Sequence, residues 1–156
     1  MRIAVIHLGF FYAGGGERLV LEEVRGLKRL GHDVECFAPI VIPEACYPDL
    51  MQEVPVRGLL PAPPSWLPAR VALWVLLSCF LAPVLALRFR RFDVLFAANQ
   101  PAPWIAWVVA RLLGKPYVAY LAQPNRVLYP RDIDIKCGCP TSTTGSPRWS
   151  LGWRRH

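Results

Sequence analysis

The sequence predicts an α/β fold, a parallel sheet with helices on both faces. Three observations carry that reading. Strand-like and helix-like segments alternate along the chain, and that order builds a parallel sheet. The strand-like runs are continuously apolar, as a sheet covered on both sides requires. The only glycine triplet, Gly14-Gly15-Gly16, falls at the first strand-to-helix turn.

Arg2-Ile3-Ala4-Val5-Ile6-His7 reads as a buried first strand. After the glycines, Glu17 to Leu30 carries apolar residues at Leu19, Val20, Val24, Leu27 and Leu30, one helical face. Arg18, Glu22, Glu23, Arg25, Lys28 and Arg29 fill the rest, and Gly31 supplies the helix stop. Asp33 to Ala38 is the second strand, closing a βαβ unit. Pro39 to Pro68 is proline-rich and irregular, with a short third strand over Val54-Pro55-Val56-Arg57-Gly58. An apolar helix runs from Trp66 to Phe89, and Phe92 to Ala97 is the next strand. Pro101-Ala102-Pro103 opens a helix from Trp104 to Leu113, since proline is accepted in a first turn. Gly114-Lys115-Pro116 ends it, and Tyr117 to Leu121 is the last strand. After about Pro130 the periodicity fails. The expected domain is 1–132, and 133–156 is an irregular tail, disordered or the product of a shifted reading frame.

A chain of 156 residues is long enough for one domain with a real core, and 54% apolar against 19% charged residues excludes disorder by composition. A net charge of +7 favours acidic partners: nucleotides, phospholipid headgroups or nucleic acid. Aromatic and arginine residues do not alternate on one face, so no specific nucleic-acid site is expected. The cysteines, Cys36, Cys46, Cys79, Cys137 and Cys139, are odd in number, which suits reduced thiols, and Cys137-x-Cys139 makes a poor metal site. The start has no secretory pattern, so the expected location is cytoplasmic. Val71 to Leu87 is seventeen residues without a charge, followed by Arg88-Phe89-Arg90-Arg91. Three readings stay open for it: a buried helix between strands, a helix at a membrane interface, or a span of marginal length where roughly 20 residues are needed. The expected membrane contact, at an inner membrane face, is residues 71–91.

A helix start offers unpaired N–H groups and a partial positive charge, and glycines let a phosphate approach closely. Neither the G-x-G-x-x-G fingerprint nor a G-K-[ST] loop is present, so the triplet points to anion binding only through its place after the first strand. Glu17 reads as a helix-start acid or a ligand contact, and His7 as a core or edge histidine. Asn99-Gln100 ends one strand and Gln123-Pro124-Asn125-Arg126 the next, at the carboxyl edge that also holds the glycines, with Arg126 as the anion clamp. No Ser-His-Asp set or spaced carboxylate pair is found, so no catalytic residue is assigned.

MRIAVIHLGFFYAGGGERLVLEEVRGLKRLGHDVECFAP resembles the opening of family 4 glycosyltransferases of the GT-B fold. The glycine-rich loop with its following Glu17, and the run Leu27-Lys28-Arg29-Leu30-Gly31-His32-Asp33-Val34, carry the likeness. FDVLFAANQPAPWIAWVVARLLGKPYVAYLAQPNRVLYP is similar to the family's later strands, and the resemblance covers about residues 1–132. It implies a Rossmann-like domain, the single N-terminal half of a GT-B fold. The family transfers a sugar from a nucleotide diphosphate sugar to an acceptor, including lipid-linked ones, and the N-terminal half mostly holds the acceptor. It further implies that Gly14, Gly15 and Gly16 approach the donor phosphates or the sugar, and that no metal or cofactor is needed. Two departures stand out. The family's histidine two residues after Tyr120 is Ala122 here, and 156 residues do not accommodate the donor-binding second half. The expectation is an N-terminal domain, inactive unless that half or a partner chain supplies it; the alternative is a membrane-surface binding module without catalysis.

Overall fold

The computed structural model describes residues 1–64, 66 and 69–122. Its centre is β1 (Arg2–His7), paired in parallel with β2 (Asp33–Ala38) on one side and β4 (Val94–Ala98) on the other. β3 (Val56–Gly58) lies beyond β2 and β5 (Tyr117–Tyr120) beyond β4, giving the all-parallel order β3-β2-β1-β4-β5. The winding runs outward from β1 to β3, then crosses back to β4. The β1/β4 boundary is therefore a switch point, where open α/β sheets form a crevice at their carboxyl ends.

Side chains alternate across β1 because the strand period is two. Ile3 and Val5 point to one face and join Val20, Leu21 and Val24 of α1 (Gly15–Arg29) and Met51 of α2 (Pro48–Glu53). Ala4 and Ile6 point to the other and join α4 (Ala82–Phe89) and α5 (Ala102–Leu113). There Phe37 meets Phe89 and Phe92 edge-on, with ring centroids 5.1 and 5.6 Å away. Helices on both faces agree with the sequence reading, as does Gly31, whose φ of +83 is left-handed.

Four expectations need correction. The buried stripe of α1 is Glu17, Val20, Leu21 and Val24, while Leu19 and Leu30 face solvent. The stripe 17, 20, 21, 24 follows the i, i+3, i+4, i+7 spacing and so takes in an acidic residue that a hydropathy reading places outside. Pro39–Pro68 is less irregular than expected: a 3-10 turn at Pro43–Ala45 and α2 precede β3, and Pro48 and Asp49 suit a helix start. β5 is exposed at all four residues, so the two-sided cover fails at this edge.

The largest correction concerns the apolar helix expected from Trp66 to Phe89. It is two helices, α3 (Arg70–Phe80) and α4, bent by 72° at Leu81. Pro83 lacks the N–H that would bond the carbonyl of Cys79, and its ring clashes there, so a continuous helix stops. The buried reading holds for Ala82, Leu85, Ala86 and Phe89 of α4, but Ser78 is the only buried residue of α3. Among the described residues no single helix is long and apolar enough to cross a membrane, although this bent pair passes by combined length and composition.

Cys36, Cys46 and Cys79 are free thiols. Burial pushes the Cys36 thiol up to about 12, and burial with the Glu17 carboxylate nearby pushes Cys46 up to about 11. Cys137, Cys139 and the expected tail 133–156 lie outside the described residues.

Candidate functional site

The alternation that buries Ile3 and Val5 also turns His7 toward α1. His7 Nδ1 lies 3.0 Å from the carbonyl of Ala98, its register partner on β4, so Nδ1–H donates to it. Nε2 then faces Glu17, whose Oε1 is 3.8 Å away, too far for a hydrogen bond. Both side chains are almost fully buried, and neither His7 Nε2 nor Glu17 Oε2 has a hydrogen-bond partner among the described residues. Glu17 is the third residue of α1, where its charge suits the positive end of the helix. It is a helix-start acid as the sequence suggests, but it forms the floor beneath the glycine loop and does not reach solvent.

The three glycines do different things. Gly14 is the residue before α1, with an extended φ of −113 that any residue adopts. Its requirement is space, because a Cβ there would strike the Glu17 carboxylate and the Tyr12 ring. Gly15 has open space around it. Gly16 is apposed to the next strand tip: a Cβ on it would lie 3.5 Å from Asn99 Nδ2. No side chain caps α1, and the Arg18 N–H already bonds the Gly14 carbonyl at 3.1 Å. Among the described residues no side chain caps the first-turn N–H groups, Gly15 to Glu17, and such groups suit an oxygen-rich ligand such as a phosphate or sugar hydroxyl.

Asn99 follows β4 in the left-handed region, φ 61, which asparagine tolerates better than most residues. Its N–H donates to the Tyr120 carbonyl at 2.8 Å, and its Oδ1 accepts from the Ala122 N–H at 3.1 Å. One asparagine thus ties the tip of β4 to the tip of β5 while its amide nitrogen faces the glycine loop. Gln100 is exposed beside it. The structure brings Gly14, Gly15, Gly16 and Asn99 together at the switch point, with Glu17 beneath. Gln123 and Arg126 lie outside the described residues. Sequence reasoning missed the His7–Glu17 apposition and the part played by the Ala122 backbone. The signal for the first was present: His7 continues the parity of Ile3 and Val5, and Glu17 precedes Val20 by three residues. Among the described residues no group of His, Cys, Asp and Glu is arranged to hold a metal ion.

A family model described as Glycosyltransferase Family 4 matches residues 13–128. No curated protein sequence matches significantly. Among solved structures, the apo form of the lipopolysaccharide outer core galactosyltransferase WaaB superposes with a TM-score of 0.55 at 12% identity, covering 78% of this chain and 32% of that one. MurG of Acinetobacter baumannii gives 0.52 at 16% identity, covering 78% and 35%. The C-terminal domain of a hydrogenase from Pyrococcus furiosus gives 0.50 at 16% identity, covering 76% and 90%. The chain therefore spans about a third of the length of WaaB and of MurG. At these identities the superpositions establish the fold, a Rossmann-like half, and leave chemistry to the site.

Proposed function

The chain belongs to glycosyltransferase family 4, and from that premise we propose that it is the acceptor-side domain of an enzyme moving a sugar from a nucleotide diphosphate sugar to an acceptor. The observation that supports this most is the apposition of Gly16 and Asn99 at the β1/β4 switch point, beside a helix start that no side chain caps among the described residues. Its first-turn N–H groups suit the charge that develops on a departing diphosphate, or the oxygens of the sugar that leaves it. Gly14, Gly15, Gly16, Asn99 and Gln100 form the rim in this reading, with Gln123 and Arg126 extending it. Glu17 lies beneath the loop, filling the space that a side chain at position 14 would need.

Ala122 occupies the place of the family's histidine, and its N–H is already bonded to Asn99. A methyl group there contributes no side-chain donor to the sugar. Combined with the length spanned, this supports the view that residues 1–156 turn over no substrate alone and require a donor-binding half. With a lipid-linked acceptor the domain would act as a peripheral protein at the inner face of a membrane.

The test is transfer from nucleotide diphosphate sugars, measured with the chain alone and with a donor-binding GT-B half supplied in trans. Turnover is expected only with both, and Gly16→Val should abolish it by filling the space facing Asn99. Robust transfer by the chain alone would overturn the dependence on a second half. Absence of any transfer or acceptor binding across a panel of donors and acceptors would overturn the reading itself.

A further inference from the structure

The helix α3 presents its apolar stripe to solvent. Leu73, Leu76, Leu77 and Phe80 recur at helical spacing and all are exposed, Phe80 to 75%. A core helix would turn that stripe inward. Val84 and Leu87 of α4 and Trp104 and Trp107 of α5 are exposed as well. Between α3 and α5 runs an open apolar groove of about 440 Å³, lined by Val75, Leu76 and Cys79 on one side and Pro101, Trp104 and Val108 on the other. The groove joins the two helices into one surface. Its lining includes Pro101, two residues after Asn99 in the chain.

Charge on this surface is one-sided. From Val54 to Arg131 the only acidic residue is Asp93, and it pairs with Arg2 at 3.1 Å. Glu35 answers Arg91 at 2.6 Å and Arg57 at 3.4 Å. Arg70, Arg90 and Arg111, at the ends of α3, α4 and α5, have no acidic partner among the described residues. The acids of the helices, Glu17, Glu22, Glu23, Asp49 and Glu53, are confined to α1 and α2 on the opposite face of the sheet.

We propose that the face made by the outer stripe of α3, the tryptophans of α5 and the unpaired arginines at the helix ends seats this chain on an anionic lipid bilayer. Leucine and phenylalanine side chains enter the acyl boundary, tryptophans take the headgroup level, and arginines meet lipid phosphates. A second copy of the same face is a worse occupant, because a two-fold pairing would bring its uncompensated cations together. The contact differs from the continuous segment 71–91 that the sequence suggests. The bend at Leu81 buries half of α4, and α5 supplies the aromatic part. As a route by which an acceptor reaches the rim, the proposal rests on the sugar-transfer reading; the binding itself is measured without turnover.

The experiment is flotation of the full chain with vesicles of phosphatidylcholine and phosphatidylglycerol, and with phosphatidylcholine alone. Binding is expected to the anionic vesicles and should weaken as salt rises. The exposed double variant Leu76→Asp/Phe80→Asp and the separate variant Trp104→Gln/Trp107→Gln should each weaken it by about 10-fold or more. Arg154→Gln/Arg155→Gln should leave it within about 2-fold, since the proposed face is made of α3, α4 and α5 and does not call on these two arginines. No binding by the wild-type chain, or loss with the tail variant and retention with both face variants, would overturn the proposal. So would sedimentation showing a stable dimer that both face variants dissociate while vesicle binding is absent. Loss of transfer with vesicle binding intact would instead count against the rim.

Discussion

His7 and Glu17 face each other at 3.8 Å across the first strand–helix junction, with both side chains 3% exposed or less. The two residues join β1 to the start of α1 directly beneath the glycine loop. Removing either leaves a polar partner in a dry pocket, and an unpaired buried polar group is costly.

His7→Ala should therefore cost about 3 kcal/mol in denaturant unfolding, from the lost bond to the Ala98 carbonyl, the space left under α1 and the stranded carboxylate. Adding Glu17→Ala should restore part of the loss, with a coupling of about 1 kcal/mol in a double-mutant cycle. Additive single effects would show that the two do not sense each other.

The glycine loop gives a contrast between neighbours. Gly14→Ala places a methyl group against the Glu17 carboxylate and the Tyr12 ring, and should destabilise by about 1–3 kcal/mol. Gly15→Ala meets open space at a helical position and should stabilise by about 0.5 kcal/mol. Thermal unfolding of the two variants decides whether the loop's glycines are kept for room or for backbone freedom.

Asn99→Ala should lose about 2 kcal/mol, half from the bond to the Ala122 N–H and half from a left-handed backbone that alanine resists. Asn99→Gly relieves the second half alone, so its loss should be about 1 kcal/mol smaller. Equal losses in the two variants would remove the backbone argument.

Two carboxylates act on stability in opposite directions as pH changes. The Arg2 backbone N–H, then its guanidinium, hold the Asp93 carboxyl below its ordinary value of 3.8. That contribution is complete above the ordinary value and is lost as pH falls through the depressed one, so Asp93→Asn should flatten the acid limb of the stability curve. Partial burial raises the Glu23 carboxyl above its ordinary 4.5, against a smaller opposing effect of His7. Ionising it costs stability as pH rises through that window. Glu23→Gln should stabilise the chain at neutral pH, and the gain should vanish below the ordinary value. Urea midpoints measured across pH for both variants check the two signs.

Much of this architecture was legible in the residues. The alternation of apolar runs located β1, β2, β4 and β5 to within two residues, and the glycine triplet marked the turn into α1. The nearness of the glycine loop to Asn99 followed from strand order alone, since tips of parallel strands share one edge. Arg126, the clamp expected at that rim, lies outside the described residues. What the chain could not declare was the environment of each face. Helical period says which side chains travel together, and α3 has the same apolar spacing as a core helix. Only packing decides whether such a stripe meets protein or solvent. There α4 and α5 already cover the sheet, and the bend at Leu81 leaves α3 to the outside. Glu17 shows the converse. An acidic residue reads as surface until a histidine from a neighbouring strand is found across from it, and that pairing is a property of two elements brought together, carried by neither segment alone.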